Sequence, residues 1–291
     1  MSDVDVIQSE RTERASDGQR LHAYEWSSRA NDPNQGALIV LMHGYAEHAG
    51  RYREFAEYLV RAGHVVHAFD ARGHGQSGGQ RGHIETYDRY VEDYYDFAQG
   101  LKQRFPNRPL ILFGHSNGGL IALRTLQSKP RLADGVIVTS PLLALQQAHL
   151  PLPVWFAAII ARVAGRFPAP NGLKTQELTH DSRKLEQHKR DRLNHMWSTP
   201  RWYVSVHDAM NHAFANIESL RLPVLVLAAE RDPIVVPDAV QRFYQAIPST
   251  DKELIVVRDS LHEILNEVGR EESYRRIGAW LAARWKTSAA A

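Results

Sequence analysis

Short apolar runs recur along the chain, and most of them do not alternate with polar residues. Runs rich in valine, isoleucine and leucine are typical of strands buried on both faces, as in a parallel sheet covered by helices. We therefore predict strands at residues 37–42, 65–69, 110–113, 136–138, 224–228 and 254–257.

Most of the segments between these runs show helical periodicity. The clearest pattern runs from Tyr87 to Phe105, with apolar residues on one side, and Pro106 ends it. Residues 53–61, 120–127 and 274–285 show similar patterns. Strands that alternate with helices predict a mostly parallel, doubly wound α/β sheet.

Two regions depart from the alternation. Near the start, two polar strand-like segments flank Asp17-Gly18, which predicts an antiparallel hairpin at the sheet edge. Residues 141–219 are long, mostly helical in pattern and without a good strand. We expect a core domain at 1–140 and 220–291 and a helical cap (lid) insertion at 141–219 that covers one edge of the sheet. The last residues, 288–291, are expected to fray.

Composition narrows the possible classes of protein. The 291 residues are 43% hydrophobic, enough for one large core, and the net charge of +2 indicates neither disorder nor a nucleic-acid partner. The absence of cysteine excludes disulfides and thiolate catalysis. The start lacks a secretory signal pattern and no run spans a bilayer comfortably. We expect a cytoplasmic protein, at most peripheral to a membrane, with no obligate protein partner.

Two serines fit the pattern Gly-x-Ser-x-Gly, which presents a nucleophile in α/β-hydrolases. Ser116 follows a predicted buried strand and precedes a helical pattern, as a nucleophile elbow requires. Ser77 lies in a glycine-rich loop without a helix after it. The sequence therefore favours Ser116 and the α/β-hydrolase fold over a glycine-rich turn or a phosphate-binding loop.

A serine nucleophile needs a base and an acid that orients the base. In this fold the chain order is Ser, Asp or Glu, then His, and His262 is the only histidine after His212. Asp232 follows a predicted strand end and is the expected acid, with Glu230 as the alternative; we expect Asp259 to make loop hydrogen bonds. The backbone N–H groups of Tyr45 and Asn117 are the expected oxyanion donors.

Several segments resemble the monoglyceride lipase and lysophospholipase family of serine hydrolases. They are the stretch from His43 to Tyr52, the loop from Phe69 to Gly79, the elbow, residues 229–232 and residues 262–267. The resemblance assigns Ser77 to a structural loop. It covers nearly the whole chain except the cap.

The resemblance implies hydrolysis of lipid esters without a cofactor or a metal, through a Ser116-His262-Asp232 triad. Monoacylglycerol is the leading substrate. A lysophospholipase, a broader carboxylesterase or thioesterase, a peptidase, a perhydrolase and a catalytically silent binding protein are the alternatives.

Two departures from the family pattern bear on substrate binding. Asn117 stands where the family often has methionine, and we expect its amide to make the pocket floor more polar. His188 begins a basic run where the family often has an aromatic residue. That run is either a solvated helix face or a contact for a phosphate or lipid headgroup.

The cap contains an apolar segment from Pro153 to Phe167 with two arginines. It is either a lid helix that admits acyl chains or touches lipid surfaces, or a helix packed on the core. The expected substrate contacts are Trp155, Phe156, Ile159, Ile160 and His188.

Overall fold

A computed structural model describes residues 4–29, 35–150 and 152–285. Its main sheet has eight strands: β1 (Ile7–Arg14), β2 (Arg20–Ser27), β3 (Leu38–Met42), β4 (Val65–Phe69), β5 (Leu110–His115), β6 (Gly135–Thr139), β9 (Val224–Ala229) and β10 (Lys252–Val257). Across the sheet they lie in the order β1-β2-β4-β3-β5-β6-β9-β10. In that order, β4 and the strands after it pair in parallel, whereas β1 and β2 form an antiparallel hairpin that pairs antiparallel with β4. The predicted fold class is confirmed, and the frayed end predicted at 288–291 lies outside the described residues.

Helices cover both faces of the sheet. Residues of α1 (Arg53–Arg61) and α8 (Arg270–Arg284) belong to one buried apolar layer. Residues of α2 (Asp88–Arg104), α3 (Asn117–Ser128) and α7 (Pro237–Ala246) belong to the other. Strands β3, β5, β6 and β9 are buried throughout, because helices cover both of their faces.

The last strand differs from the expectation of burial on both faces. β10 is an edge strand, paired only with β9, and Val256 is 50% exposed. Its apolar run resembles that of a central strand, but one side of an edge strand has no neighbour to cover it.

Residues 141–219, the predicted cap, contain α4 (Val154–Ala164), α5 (Ser182–Arg190) and α6 (Pro200–Ala215). They also contain a short antiparallel ribbon, β7 (Ala169–Pro170) with β8 (Trp197–Ser198), which we did not predict. Two-residue strands are too short to show a periodic pattern. Apolar residues of α6 join the buried layer that contains α3. Within the described residues, no helix is long and apolar enough to cross a membrane.

Candidate active site

Ser116 lies in a strained turn between β5 and α3. Its backbone has φ 51° and ψ −118°, a conformation that residues with a side chain rarely adopt. Three backbone bonds fix the turn: the Ser116 N–H donates to Thr139 O at 2.9 Å, and its carbonyl accepts from Leu120 N at 3.1 Å and Leu142 N at 2.9 Å. The surrounding structure therefore holds the hydroxyl at the carboxyl end of the central strand.

The two glycines of the elbow are required by close backbone contacts. A Cβ on Gly114 would lie 2.2 Å from the Gly118 carbonyl oxygen, and a Cβ on Gly118 would lie 2.2 Å from Met42 O. Neither oxygen belongs to a flexible side chain, so a larger residue would push the turn open. The motif thus reflects the tight packing of α3 against β3 and β5.

Ser77 has a structural position. Its Oγ accepts a hydrogen bond from His22 N at 2.9 Å and donates one to the Asp70 carbonyl, and the residue is buried. These bonds tie β2 to the loop after β4. Both hydrogen-bonding functions of the hydroxyl are occupied, so Ser77 is not poised for nucleophilic attack.

The structure brings the three predicted triad residues together. His262 Nε2 lies 2.9 Å from Ser116 Oγ, and His262 Nδ1 lies 2.8 Å from Asp232 Oδ2. The other Asp232 oxygen accepts from Ile234 N and Val235 N, each at 2.9 Å. Because the carboxylate can only accept, it holds the proton of His262 on Nδ1 and leaves Nε2 free to accept the serine proton.

The pKa shifts of His262 and Asp232 suit a histidine that acts as a general base. Burial disfavours the charged form of His262, but the charge of Asp232 and its hydrogen bond outweigh burial and raise the His262 pKa. Burial likewise opposes ionisation of Asp232, yet His262 and two backbone N–H groups lower its pKa. The imidazolium that forms during reaction is therefore stabilised by a fixed carboxylate.

Glu230 and Asp259 have other partners. Glu230 Oε2 accepts from Asp259 N at 2.9 Å, and Asp259 forms an exposed ion pair with Arg231 at 3.4 Å. No contact of either carboxylate with His262 occurs in the described part of the chain. The geometry supports Asp232 as the acid and Asp259 as a loop residue.

The residues that carry the predicted oxyanion donors are near the nucleophile in two senses: Asn117 follows Ser116 in the chain, and Tyr45 lines the same cavity as Ser116. The Tyr45 N–H donates to no acceptor among the described residues, and Asn117 is the first residue of α3, where a backbone N–H has no partner within the helix. The Tyr45 ring stacks on Trp202 at 3.7 Å between ring centroids, and its hydroxyl donates to Trp197 O at 2.7 Å. These contacts fix the loop.

The Asn117 side chain is oriented differently from our expectation. Its Oδ1 accepts a hydrogen bond from Tyr87 Oη at 2.8 Å, and the residue is buried between α2 and the elbow. It is absent from the cavity lining. The expectation of a more polar pocket floor was wrong, because the side chain is buried away from the cavity and its oxygen is paired with a tyrosine behind the turn.

A buried ion network beside the site escaped the sequence analysis. Arg51 forms two bonds to Glu263, at 2.8 and 2.7 Å, and a third to Glu47. Glu47 in turn accepts from Gly44 N and Tyr52 Oη, both at 2.7 Å. The network joins the oxyanion loop to the residue after His262. Its residues lie in segments that resemble the family, but nothing in the sequence assigned them a role, since charged residues usually indicate solvent exposure.

A cavity of about 730 Å³ opens onto Ser116 and His262. Of the five predicted substrate contacts, Ile160 and His188 line it. Trp155, Phe156 and Ile159 do not, and they are 68%, 41% and 52% exposed. Helical periodicity identified the apolar segment but not which side faces the cavity: α4 turns Ala157 and Ile160 inward, while the larger side chains face outward.

The apolar part of the cavity lining comes mainly from residues 141–219, including Leu145, Ile160 and Leu178, whereas the core contributes mostly polar and charged groups around Ser116. Residues 188–198 add further polar and basic groups. The described residues contain no cluster of three or more histidine or carboxylate side chains that could hold a metal ion. Every group that the triad geometry requires belongs to the chain itself.

Comparisons with known proteins identify the family of the chain. The family described as serine aminopeptidase S33 (Hydrolase_4) matches residues 33–269. A monoacylglycerol lipase of Mycolicibacterium smegmatis is 28% identical over 256 residues, 87% of this chain and 90% of the relative. Phospholipase YtpA of Bacillus subtilis is 29% identical over 259 residues, 88% and 98% of the two chains.

A solved structure shows the same fold. The monoacylglycerol lipase of Paleococcus ferrophilus superposes with a TM-score of 0.78 at 28% identity, over 96% of this chain and 99% of that one. The resemblance stated from the motifs is confirmed. With its α/β-hydrolase fold and a family match over most of its length, the chain belongs to the serine aminopeptidase S33 (Hydrolase_4) family.

Proposed function

We propose that this protein is a serine ester hydrolase that cleaves single-chain lipid esters, with monoacylglycerol as the leading substrate and lysophospholipid as the second. The observation that carries the proposal is the chain of contacts Asp232–His262–Ser116, opening onto a largely apolar cavity. Relatives named monoacylglycerol lipase and phospholipase support the substrate class.

The mechanism follows from the geometry. His262 Nε2 takes the Ser116 proton as Oγ attacks the ester carbonyl, and the Tyr45 and Asn117 N–H groups bind the resulting oxyanion. His262 then gives the proton to the leaving alcohol, which departs as glycerol from monoacylglycerol. Water, deprotonated by the same Nε2, releases the fatty acid from the acyl-enzyme. Asp232 stays ionised and stabilises the imidazolium in both halves.

We propose that residues 141–219 act as a cap and that its outer surface touches lipid. Trp155, Ile159 and Val163 of α4, with Phe167 after it, are 52–87% exposed. Arg162 and Arg166 lie beside them and are also exposed. Large exposed apolar side chains flanked by arginines favour contact with an anionic lipid surface.

The family description favours one competing activity, cleavage of an amino-terminal peptide bond. A panel tests the two activities: 1-lauroylglycerol, the matching lysophospholipid, dilauroylglycerol and an aminoacyl p-nitroanilide, each with wild type and Ser116→Ala. We expect the single-chain esters to have the highest kcat/KM and Ser116→Ala to lose at least about 10³-fold. A preference for the anilide, or full activity in Ser116→Ala, would overturn the proposal.

A further inference from the structure

One part of the cavity has buried polar atoms that the protein leaves unpaired. Arg81 Nη1, Asn194 Oδ1 and His195 Nε2 all lack a hydrogen-bond partner within the described residues, and all three side chains line the cavity that contains Ser116. Buried polar atoms without partners are rare in folded proteins, because each costs the free energy of its lost hydration. A ligand that paired all three would recover that free energy.

Arg81 supplies the charge of this cluster. Its Nη2 donates to the Gly75 carbonyl, which orients the guanidinium, and Nη1 carries the unpaired donors. No carboxylate forms an ion pair with Arg81 in the part of the chain that the structure describes. Burial lowers the Arg81 pKa, and the charge of Asp70 opposes this effect only in part, so a bound anion would further stabilise the cation.

His195 adds a neutral donor next to Arg81. Its Nδ1 accepts from Trp197 N at 3.3 Å, so its proton lies on the unpaired Nε2. Burial, with Arg81 and His43 nearby, lowers the His195 pKa to about 4, which keeps the ring neutral at pH 7. The backbone N–H of His195 donates to Ala46 O at 3.0 Å, which places His195 beside the oxyanion loop.

Two of the three carboxylates that line the cavity are paired with an arginine, and the third accepts a hydrogen bond from a histidine. Glu47 and Glu263 share Arg51, and Asp191 Oδ2 lies 2.7 Å from His48 Nε2. Two further lining cations, Lys189 and Arg192, make no ion pair among the described residues. With Arg81, these residues leave the unpaired charge of the cavity lining positive on balance.

We propose that Arg81 and His195 form a subsite for the phosphate of a single-chain acyl ester, with Asn194 accepting a bond from a glycerol hydroxyl. The inference rests on the proposed function and deepens it: beside monoacylglycerol, the same cavity recognises lysophospholipids with an accessible phosphate. The acyl chain lies against the apolar lining, which includes Leu145, Ile160 and Leu178. Guanidinium groups bind phosphate oxygens through charge-assisted N–H bonds, and Nη1 of Arg81 is the nitrogen left without a partner.

The test is the selectivity of the enzyme, measured as kcat/KM for 1-lauroyl lysophosphatidic acid divided by that for 1-lauroylglycerol. We expect Arg81→Gln to lower this ratio roughly 10- to 100-fold, the range for a lost hydrogen bond to a charged group. His195→Leu is expected to lower it severalfold, and Arg81→Lys to restore part of the loss. Arg275→Gln, which removes an exposed arginine on α8, is the control and leaves the ratio unchanged.

A second experiment distinguishes binding of a lipid headgroup from binding of free phosphate. Glycerol 3-phosphate is expected to inhibit hydrolysis of a p-nitrophenyl ester competitively, and more strongly than inorganic phosphate does, with the inhibition weakened in Arg81→Gln. Equal inhibition by the two anions would assign the cluster to free phosphate and overturn the headgroup assignment.

An unchanged selectivity ratio in Arg81→Gln, or an equal loss on both substrates, would also overturn the assignment. In that case hydrolysis of 1-lauroylglycerol by the wild type would still support the proposed function. Absence of hydrolysis of either ester by the wild type would count against the proposed function itself.

Discussion

At the scale of single residues, His262 differs from the neighbouring histidine because the carboxylate of Asp232 is hydrogen-bonded to it. The charge of Asp232 raises the His262 pKa against the effect of burial. The adjacent His115 has no such partner, and burial, followed by the nearby His262, lowers its pKa to about 4. Of two buried histidines with ring centroids 4.9 Å apart, one therefore has its pKa raised, and the other has its pKa lowered and stays neutral at pH 7.

This contrast predicts the pH dependence of hydrolysis. Only neutral His262 can accept the Ser116 proton, so kcat/KM rises with pH through the His262 pKa, and the midpoint lies above the usual histidine value of about 6.5. Asp232→Asn removes the charge that raises this pKa, so we expect the midpoint to move to lower pH and kcat to fall about 10⁴-fold. Profiles measured with a soluble ester check both effects. A midpoint near 4 in the wild type would contradict the assignment.

At the scale of elements, the sequence predicts that α4 exists but not which of its sides faces the cavity. Its existence follows from its apolar content, but it is apolar on nearly every side, so periodicity cannot select an inner face. Contacts with α6 determine the orientation of α4. Arg201 Nη2 donates to Ala161 O at 3.0 Å, and Tyr203 Oη donates to Leu152 O at 2.9 Å. α6 thereby sets which side of α4 faces inward, and that information lies about 40 residues away along the chain.

The outward side of α4 leads to a prediction about lipid binding. The double variant Val163→Gln and Phe167→Gln removes two side chains that are 87% and 70% exposed. We expect its binding to vesicles containing phosphatidylglycerol to weaken about tenfold or more, because the loss of buried apolar area is not replaced. Sedimentation with vesicles measures the effect. Val268→Gln, at a side chain that is 66% exposed outside the cap, is the matched control, and an equal loss in both variants would refute a cap-specific contact.

At the scale of the whole molecule, the sheet and the triad were accessible from the sequence, whereas the cavity was not. Apolar runs located the central strands because burial on both faces demands uninterrupted apolar residues. Chain order then placed Ser116, Asp232 and His262 at the carboxyl ends of neighbouring parts of the sheet. The Arg51 network and the cluster around Arg81 depend on contacts between distant loops, for which a single sequence has no local signal.

The central claim is that the elbow between β5 and α3 presents an activated serine. Labelling with a fluorophosphonate, followed by peptide mass mapping, tests it most directly because the reagent needs both the nucleophile and the oxyanion donors but no particular lipid. We predict stoichiometric modification of Ser116 in the wild type and none in Ser116→Ala. Modification of Ser77, or a folded wild-type protein that resists the reagent, would contradict the account.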